Sequence, residues 1–296
     1  MSQTVTAERS KLLVQAAKVS WWQQHRHTIL MHLIMLPGVL LIIFPLVFAI
    51  ILSTQSSSEY YQVGNLIPGS ALSENYSRAL SRADMPQLTI NTLRVALTVS
   101  LGKIILSLLG AYALVYFDMR GKFIFFGLIV LTHFLPLPVR IVPTFELLAD
   151  FGWVNTYSGL TIPFFASATG LLLFVQFFRT LSSDLVDAAR VDGAGPFRFL
   201  VHILVPLSRT HIGALFLIEF VYMWNQYLWP VIVAKSVETR QIQIGIKQLI
   251  ATDSVIEWGV LMAGTVVVMI PPLIVLLLLQ RSLMAGLTVA NDDIAQ

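Results

Sequence analysis

The chain has 296 residues, of which 56% are hydrophobic and only 12% are charged, and it contains no cysteine. Soluble domains carry roughly 25% charged residues, so these ionic groups are too few to cover a surface that faces water. The composition excludes a soluble enzyme and a soluble DNA-binding module, and most of the chain must face lipid. Disulfides and thiolate metal sites are also excluded, because both need cysteine.

The first 27 residues are polar to amphipathic, with basic residues around short apolar runs. The first long apolar run begins near residue 28 and can cross a bilayer, whereas a cleavable signal peptide has a short apolar run closer to its start. We expect residues 7–24 to lie on the membrane surface, with Trp21 and Trp22 at the level of the lipid headgroups.

Six apolar segments are each long enough to cross a bilayer, which takes about 20 residues per helix. They cover approximately residues 28–53, 90–117, 122–146, 157–179, 206–234 and 257–280. Most of them contain proline, which removes a helix hydrogen bond, so kinks near the ends of the spans are expected. The predicted fold is all-α, a polytopic membrane protein with six transmembrane helices.

The basic residues indicate the orientation of these spans. With the N-terminus inside, 11 Lys and Arg fall on the cytoplasmic side, five on the opposite side and three within spans. Positive residues stay with cytoplasmic loops, so both termini are expected inside. We predict a cytoplasmic segment at 1–27, a membrane domain at 28–288 that includes an external loop at 54–89, and a cytoplasmic tail at 289–296.

The longest cytoplasmic connection, residues 181–206, has the local chemistry of two short helices around a glycine turn. Asp184 stands in the first turn of the first helix, where the helix dipole favours an acid. Gly193 can end this helix in a left-handed cap, and Pro196 suits the first turn of the next helix.

Leu185, Ala188 and Ala189 are spaced i, i+3, i+4 and would form one small apolar face of the first of these helices. Small side chains let the backbone of another protein approach closely, so this face suits docking of a partner. A helix that lies on the membrane surface is an equal alternative, because the periodicity identifies no partner.

The spacing of this segment resembles a known motif. Asp187, Ala188 and Ala189 are followed after three residues by Gly193, and after nine more by Ile203, Val205 and Pro206. This resembles the EAA loop of permease subunits in binding-protein-dependent ABC importers, with the pattern E-A-A, x3, G, x9, I-x-L-P. Asp187 replaces the glutamate and Val205 the leucine, and both keep the chemistry of the position.

The resemblance extends over about 28–288 and is closest to the carbohydrate-type importers. Within them, it is closest to the smaller permease subunit of sn-glycerol-3-phosphate importers, through residues 101–104, 135–144, 166–169 and 224–230. The N-terminal tail and the external loop do not share it.

The resemblance implies a division of labour among subunits. Two homologous permease subunits form the pathway, two cytoplasmic ATPase subunits bind ATP and Mg and dock on the EAA loops, and an external binding protein delivers solute. It also implies that Asp187, Ala188, Ala189 and Gly193 form the coupling helix and its turn. The chain has no G-x-x-x-x-G-K-[ST] loop, so it cannot supply the ATP chemistry itself. We also expect this chain to bind no cofactor, to be non-catalytic and to have no nucleic-acid partner.

Ionisable groups within spans are costly and usually face a cavity or a partner. Arg140 lies among three prolines in the third span, and its guanidinium could pair with the phosphate of an anionic solute. The alternatives are an ion pair with Glu146 or Glu219, or a position near the outer interface. Lys103 of the second span could face the pathway or extend to the membrane surface.

The fifth span also carries polar groups. Glu219, Tyr222 and Gln226 are spaced i, i+3, i+7, so with Asn225 they could line a polar and aromatic helix face that suits a hydroxylated solute. The competing interpretation of the tryptophans at 224 and 229 is an aromatic belt at the membrane interface.

The expected function is that of an ABC importer permease subunit for sn-glycerol-3-phosphate or a related glycerophosphodiester. The alternative solute is a neutral di- or oligosaccharide or a polyol, such as a maltose-type sugar or glucosylglycerol. A secondary transporter is a remote alternative, because such proteins show an internal repeat and their own coupling groups at the midplane. The histidines are too scattered for a metal site.

Overall fold

The computed structural model describes residues 21–61, 66–251 and 256–292, and within these ranges every regular element is a helix. The α-helices are α1 (Trp21–Leu52), α2 (Ser57–Tyr60), α3 (Leu72–Arg82), α4 (Met85–Tyr116), α5 (Lys122–His133), α6 (Leu137–Asp150), α7 (Tyr157–Thr161), α8 (Ala168–Thr180), α9 (Ser183–Val191), α10 (Pro196–Phe199), α11 (Val205–Leu207), α12 (Arg209–Trp224), α13 (Leu228–Val233), α14 (Ile242–Ala251) and α15 (Trp258–Asp292). A 3₁₀ turn at Ile162–Phe164 follows α7, and a π-helical turn at Leu200–Leu204 joins α10 to α11.

The helices provide up to six membrane crossings, in agreement with the sequence. Three are continuous apolar helices, namely Thr28–Leu52 of α1, Met85–Tyr116 and Trp258–Ser282 of α15. The other three are bent pairs: α5 with α6 at 104°, α7 and its 3₁₀ turn with α8 at 42°, and the helix Pro196–Leu207 with α12 at 74°. The breaks expose backbone groups that lipid cannot satisfy, so such segments belong inside a bundle or beside a cavity.

The fifth span is shorter than predicted. Helix α12 ends at Trp224 instead of continuing to residue 234, and a separate short helix, α13, follows. The Asn225 side chain donates to the carbonyl of Val221 at 2.8 Å at this end. Pro230 then lies in the first turn of α13, where its missing N–H costs no hydrogen bond.

The tryptophans of this region belong to the core. Trp224 and Trp229 are each 1% exposed. Their indole N–H groups donate to the carbonyls of Val268 and Gly159, both at 3.1 Å. The prediction of an interfacial belt is therefore wrong for these two residues, because both rings are enclosed by other helices and both polar ends are satisfied inside the protein.

The described parts of the loop at 54–89 tie the first span to the last. Asn75 of α3 donates to the carbonyls of Ser53 and Gln55 at 3.0 and 2.9 Å. Arg78 pairs with Glu257, just before α15, at 2.5 Å. Helix α4 begins within this loop at Met85, five residues earlier than the predicted second span.

A second connection on the same end of the bundle depends on Asn155. This residue has a positive φ of 61°, and its Oδ1 accepts from the backbone N–H groups of Lys235 and Ser236 at 2.8 and 3.0 Å. The hydroxyl of Thr239 also donates to it at 2.6 Å. These bonds join the loop after α6 to the loop after α13.

Some predictions fall outside the described residues. The amphipathic stretch at 7–24 does so except for its last four positions, where α1 has already begun, and residues 293–296 of the tail do so as well. The assignment of the segments to the two sides of the membrane stays a prediction at this point.

Close packing at Gly159 yields a test of the fold. A Cβ there would collide with the backbone carbonyl oxygen of Trp153, which cannot rotate away. We expect Gly159→Ala to lower the free energy of unfolding by about 1–3 kcal/mol, as overpacking does, measured by thermal unfolding in detergent. Gly127→Ala is the matched control, since nothing lies within 4 Å of that position, and it should not destabilise. Equal melting temperatures for the two variants would contradict the packing.

Candidate functional site

A cavity of about 310 Å³ lies between α4, the break between α5 and α6, the start of α8, and α12. The polar and charged side chains on its wall include Lys103, Arg140, Ser167, Glu219 and Tyr222. Four of these are among the six residues that the sequence proposes for a solute pathway. The structure therefore brings together residues that are far apart in the chain.

A buried ion pair forms one wall of this cavity. The Lys103 ammonium lies 2.5 Å from Glu219 Oε2, and the two side chains are only 8% and 7% exposed. The ammonium also lies over the Tyr222 ring, 5.1 Å from its centroid. Lys103 does not extend to the membrane surface, because a carboxylate on the neighbouring helix compensates its charge inside the bundle.

Ser167 gives the Glu219 carboxylate a second partner. Its hydroxyl donates to Glu219 Oε1 at 2.8 Å. As the N-cap of α8, Ser167 Oγ also accepts from the Gly170 N–H at 3.1 Å. The carboxylate therefore lies beside a helix N-terminus, where the dipole favours negative charge. Sequence reasoning did not single out Ser167, although its N-cap position before an apolar helix is a recognisable signal.

Arg140 is the other cation of the cavity, and its charge is not compensated in the same way. The break at Pro136 starts α6 at Leu137 and turns it 104° from α5, so that Arg140 lies on the cavity wall. Arg140 is exposed, and no carboxylate of the described residues lies within 4 Å of its guanidinium. The alternatives of an ion pair with Glu146 or Glu219 are wrong, and Glu219 is already held by Lys103.

Two of the proposed pathway residues lie outside this cavity. Asn225 is exposed and bonds back to Val221, and Gln226 lies beyond the end of α12 at Trp224. The i+7 spacing of Gln226 from Glu219 has no meaning once the helix has ended. The predicted face is therefore limited to Glu219 and Tyr222.

The coupling segment folds as its local sequence predicts. The Ser182 hydroxyl accepts from the Asp184 N–H at 3.2 Å at the start of α9. At its end Gly193 has φ of +72°, and the N–H groups of Gly193 and Ala194 donate to the carbonyls of Arg190 and Ala189 at 3.0 and 2.9 Å. This is the Schellman pattern of a helix C-terminus, so the left-handed cap is confirmed.

The apolar face of α9 is divided differently from the prediction. Ala189 is only 5% exposed and packs in a core cluster with Phe199, and Leu185 is half-buried against the same cluster. Ala188 lies about 100° further round the helix and is exposed. The predicted docking face of all three residues is wrong, because Ala189 already supports α9 on its own chain.

The exposed surface around the coupling helix contains large apolar side chains. Val191 is 88% exposed and Phe197 is 76% exposed, and they flank the Gly193 turn. Asp187 lies on the solvent side of α9, 3.4 Å from Arg190. These residues leave an apolar patch with charged neighbours at the end of the molecule remote from the Asn155 connection.

No three His, Asp or Glu side chains of the described residues come together in a way that could hold a metal ion. The arrangement instead combines a charged cavity between broken helices with a separate, exposed helical segment. This combination is that of a membrane permease.

Comparison with known proteins identifies the family. Residues 14–289 match the family described as binding-protein-dependent transport system inner membrane component, and the chain belongs to that family. It is an integral inner-membrane protein, the non-catalytic permease subunit of an ABC importer, and it works in a complex with other components.

The chain is similar to several sn-glycerol-3-phosphate transport system permease proteins UgpE. It is 42% identical over 265 residues to that of Rhizobium meliloti (strain 1021), with 86% of this chain and 94% of the relative covered. It is 41% identical over 268 residues to that of Escherichia coli O6:K15:H31 (strain 536 / UPEC), with 88% and 95% covered.

The fold is also that of a solved transporter. The chain is similar to a subunit in the crystal structure of a bacterial ABC transporter involved in the import of the acidic polysaccharide alginate, with a TM-score of 0.77 and 23% identity. The match covers 88% of this chain and 97% of the other. It confirms the all-α permease fold predicted from the sequence.

The ion pair yields a prediction about stability. Lys103→Met leaves the Glu219 charge buried beside one hydroxyl, so we expect the free energy of unfolding to fall by about 3–5 kcal/mol. The double variant Lys103→Met with Glu219→Met removes both charges and should lose much less. Unfolding in a detergent series measures both. A double variant as unstable as the single one would show that the pair does not compensate Glu219.

Proposed function

We propose that this permease imports sn-glycerol-3-phosphate or a related glycerophosphodiester, and that Arg140 binds the phosphate group. The guanidinium on the cavity wall carries this proposal, because it is exposed and pairs with no carboxylate in the described part of the chain. The names of the relatives, which are sn-glycerol-3-phosphate permeases, support the same solute class.

The balance of charge explains why Arg140 would select an anion. Glu219 compensates the positive charge of Lys103, so the three ionised groups leave a net charge of about +1, which belongs to Arg140. A guanidinium presents paired donors that match a phosphate. The Tyr222 hydroxyl, on the same cavity wall, is available for the hydroxyl groups of the glycerol.

Replacement of Arg140 tests this assignment. In proteoliposomes that contain the whole importer, Arg140→Gln should lower the rate of sn-glycerol-3-phosphate uptake at limiting solute by about 10- to 100-fold, the value of a charged hydrogen bond. Arg140→Lys should restore part of it. The matched control is Arg94→Gln, which removes an exposed arginine of α4 that lies outside this cavity.

The alternative solute predicts a different result. If the complex takes up a neutral oligosaccharide or polyol and Arg140→Gln leaves that uptake unchanged, then the cavity serves a neutral solute and Arg140 has a structural role. If Arg94→Gln is as damaging as Arg140→Gln, then the loss reflects general charge and not phosphate binding.

The further subunits belong to the same proposal. A second homologous permease would cover the cavity, which is open on this chain. Two ATPase subunits, which bind ATP and Mg, would dock on the exposed patch formed by Ala188, Val191 and Phe197 with Asp187 beside it. An external binding protein would deliver the solute at the opposite end. Both termini are then cytoplasmic, because the coupling segment must face the ATPase subunits.

The packing of α9 supports a direct route from the ATPase subunits to the cavity. Ala189 and Phe199 pack beside Tyr112 near the end of α4. Lys103 lies nine residues before Tyr112 on the same helix, which corresponds to about 13 Å at 1.5 Å per residue. A displacement of α9 on ATP binding would therefore be transmitted by a rigid helix to the cavity wall, as in rigid-body switching.

The cap of the coupling helix tests the docking proposal. Gly193→Ala forces a side chain into the left-handed conformation, at a cost of about 1–2 kcal/mol, so the turn between Val191 and Phe197 should reorganise. We expect less ATPase subunit to remain bound to the purified permease in detergent, and uptake to fall with it. Gly195→Ala is the matched control, because Gly195 has an ordinary φ of −66° and open space around it. Unchanged ATPase retention in Gly193→Ala would contradict the docking.

A further inference from the structure

A second concave surface lies between α4, α12 and α15, and it differs from the solute cavity in its chemistry. It has a volume of about 400 Å³ and is lined by leucine, isoleucine, valine and phenylalanine side chains, except at one end where Arg209 and Ser282 lie. A groove of this kind has no polar groups to hold a sugar or a phosphate along most of its length. Its polar features are confined to one end.

The groove faces away from the solute cavity. Leu101 and Ile105 of α4 line it, and each is two residues from Lys103, which lines the cavity. Two residues correspond to about 200° of rotation around a helix. The side chains of Leu101 and Ile105 are 50% and 55% exposed. The groove therefore opens on the outer surface of the bundle and not on the pathway.

The basic end of the groove is suited to an anion. Arg209 is exposed, and no carboxylate of the described residues lies within 4 Å of it. It is the first residue of α12, where the positive end of the helix dipole disfavours a cation and favours an anion. An anionic group at this point would be stabilised by the guanidinium and by the dipole together.

A second arginine lies at the same level. A Cβ on Gly213, one turn after Arg209, would lie 2.8 Å from the Ser282 hydroxyl of α15, so the two helices are in close contact here. Arg281 directly precedes Ser282 and is exposed, with no carboxylate of the described residues within 4 Å. Arg209 therefore lies at the end of the groove, and Arg281 directly precedes a lining residue; neither pairs with a carboxylate of the described residues.

The direction of the groove completes the argument. From Arg209 it continues along α12 to Phe216, about 10 Å towards the middle of the span at 1.5 Å per residue. The basic end corresponds to the cytoplasmic side, since it lies at the same end of α12 as the coupling segment. An acyl chain would fill the apolar part while a phosphate reached the arginines, and basic pockets between helices on this side bind anionic headgroups.

We propose that this groove, formed by α4, α12 and α15, binds one anionic phospholipid of the cytoplasmic leaflet, with its phosphate at Arg209 and an acyl chain against Phe216 and Leu278. This site does not depend on the identity of the solute, but its assignment to the cytoplasmic leaflet rests on the proposed docking of the coupling segment. It would support the junction at which α12 meets the coupling segment, because Arg209 follows the 74° bend directly.

Native mass spectrometry of the purified importer tests the proposal with phosphatidylglycerol and phosphatidylethanolamine of identical acyl chains. The wild type should retain the anionic lipid at least five-fold better, and Arg209→Gln should remove most of this preference. Arg179→Gln is the matched control, since it removes an exposed arginine at the end of α8 that does not line the groove. Equal retention of both lipids by the wild type, or an unchanged preference in Arg209→Gln, would overturn the proposal.

A second pair of variants tests the acyl chain without changing any charge. Leu278→Trp fills the groove and should reduce lipid retention several-fold, whereas Leu277→Trp, at an exposed neighbour outside the lining, should not. The chain has no cysteine, so a single Leu278→Cys can be cross-linked cleanly. Efficient cross-linking of this cysteine to the partner permease would show that protein covers the groove, and the lipid assignment would be wrong.

Discussion

The buried contact of Lys103 with Glu219 is the interaction on which the arrangement of the site depends. It joins α4 to α12, and Ser167 adds the N-terminus of α8 through its bond to the same carboxylate. Two charges removed from water need each other and need further hydrogen bonds. Because both needs are met at one point, three helices are held in register around the cavity, and Arg140 is left as the cavity cation with no acidic neighbour among the described residues.

The broken helices follow from the same constraint on unsatisfied polar groups. Lipid cannot bond a free carbonyl, so the breaks lie where protein or a cavity surrounds them. The break before Leu137 brings Arg140 to the cavity, and the 74° bend at Ser208 turns the preceding helix so that the coupling segment packs against the end of α4. Helix α4, unbroken from Met85 to Tyr116, connects these two regions. Its Lys103 lines the cavity, while its last turns support α9.

The local features were the most predictable part of the structure. The count of spans and the turn at Gly193 follow from runs of apolar residues and from the backbone freedom of glycine, and both are confirmed. The division of the α9 face was not predictable, since Ala188 and Ala189 have identical side chains and only packing against Phe199 distinguishes them. The end of α12 at Trp224 was not predictable from the spacing either, and it removed Gln226 from the predicted polar face.

The sequence by itself determined that this is a membrane protein with six apolar spans, because composition and periodicity report directly on the solvent that surrounds each helix. That it is a permease followed from the resemblance of residues 187–206 to a known motif. Only the tertiary structure decided which charges meet. Lys103 and Glu219 are 116 residues apart, and nothing in the spacing of either span indicates that they pair and leave Arg140 alone. Long-range pairing depends on how whole helices pack, and that information is distributed over many apolar contacts and is absent from any single motif.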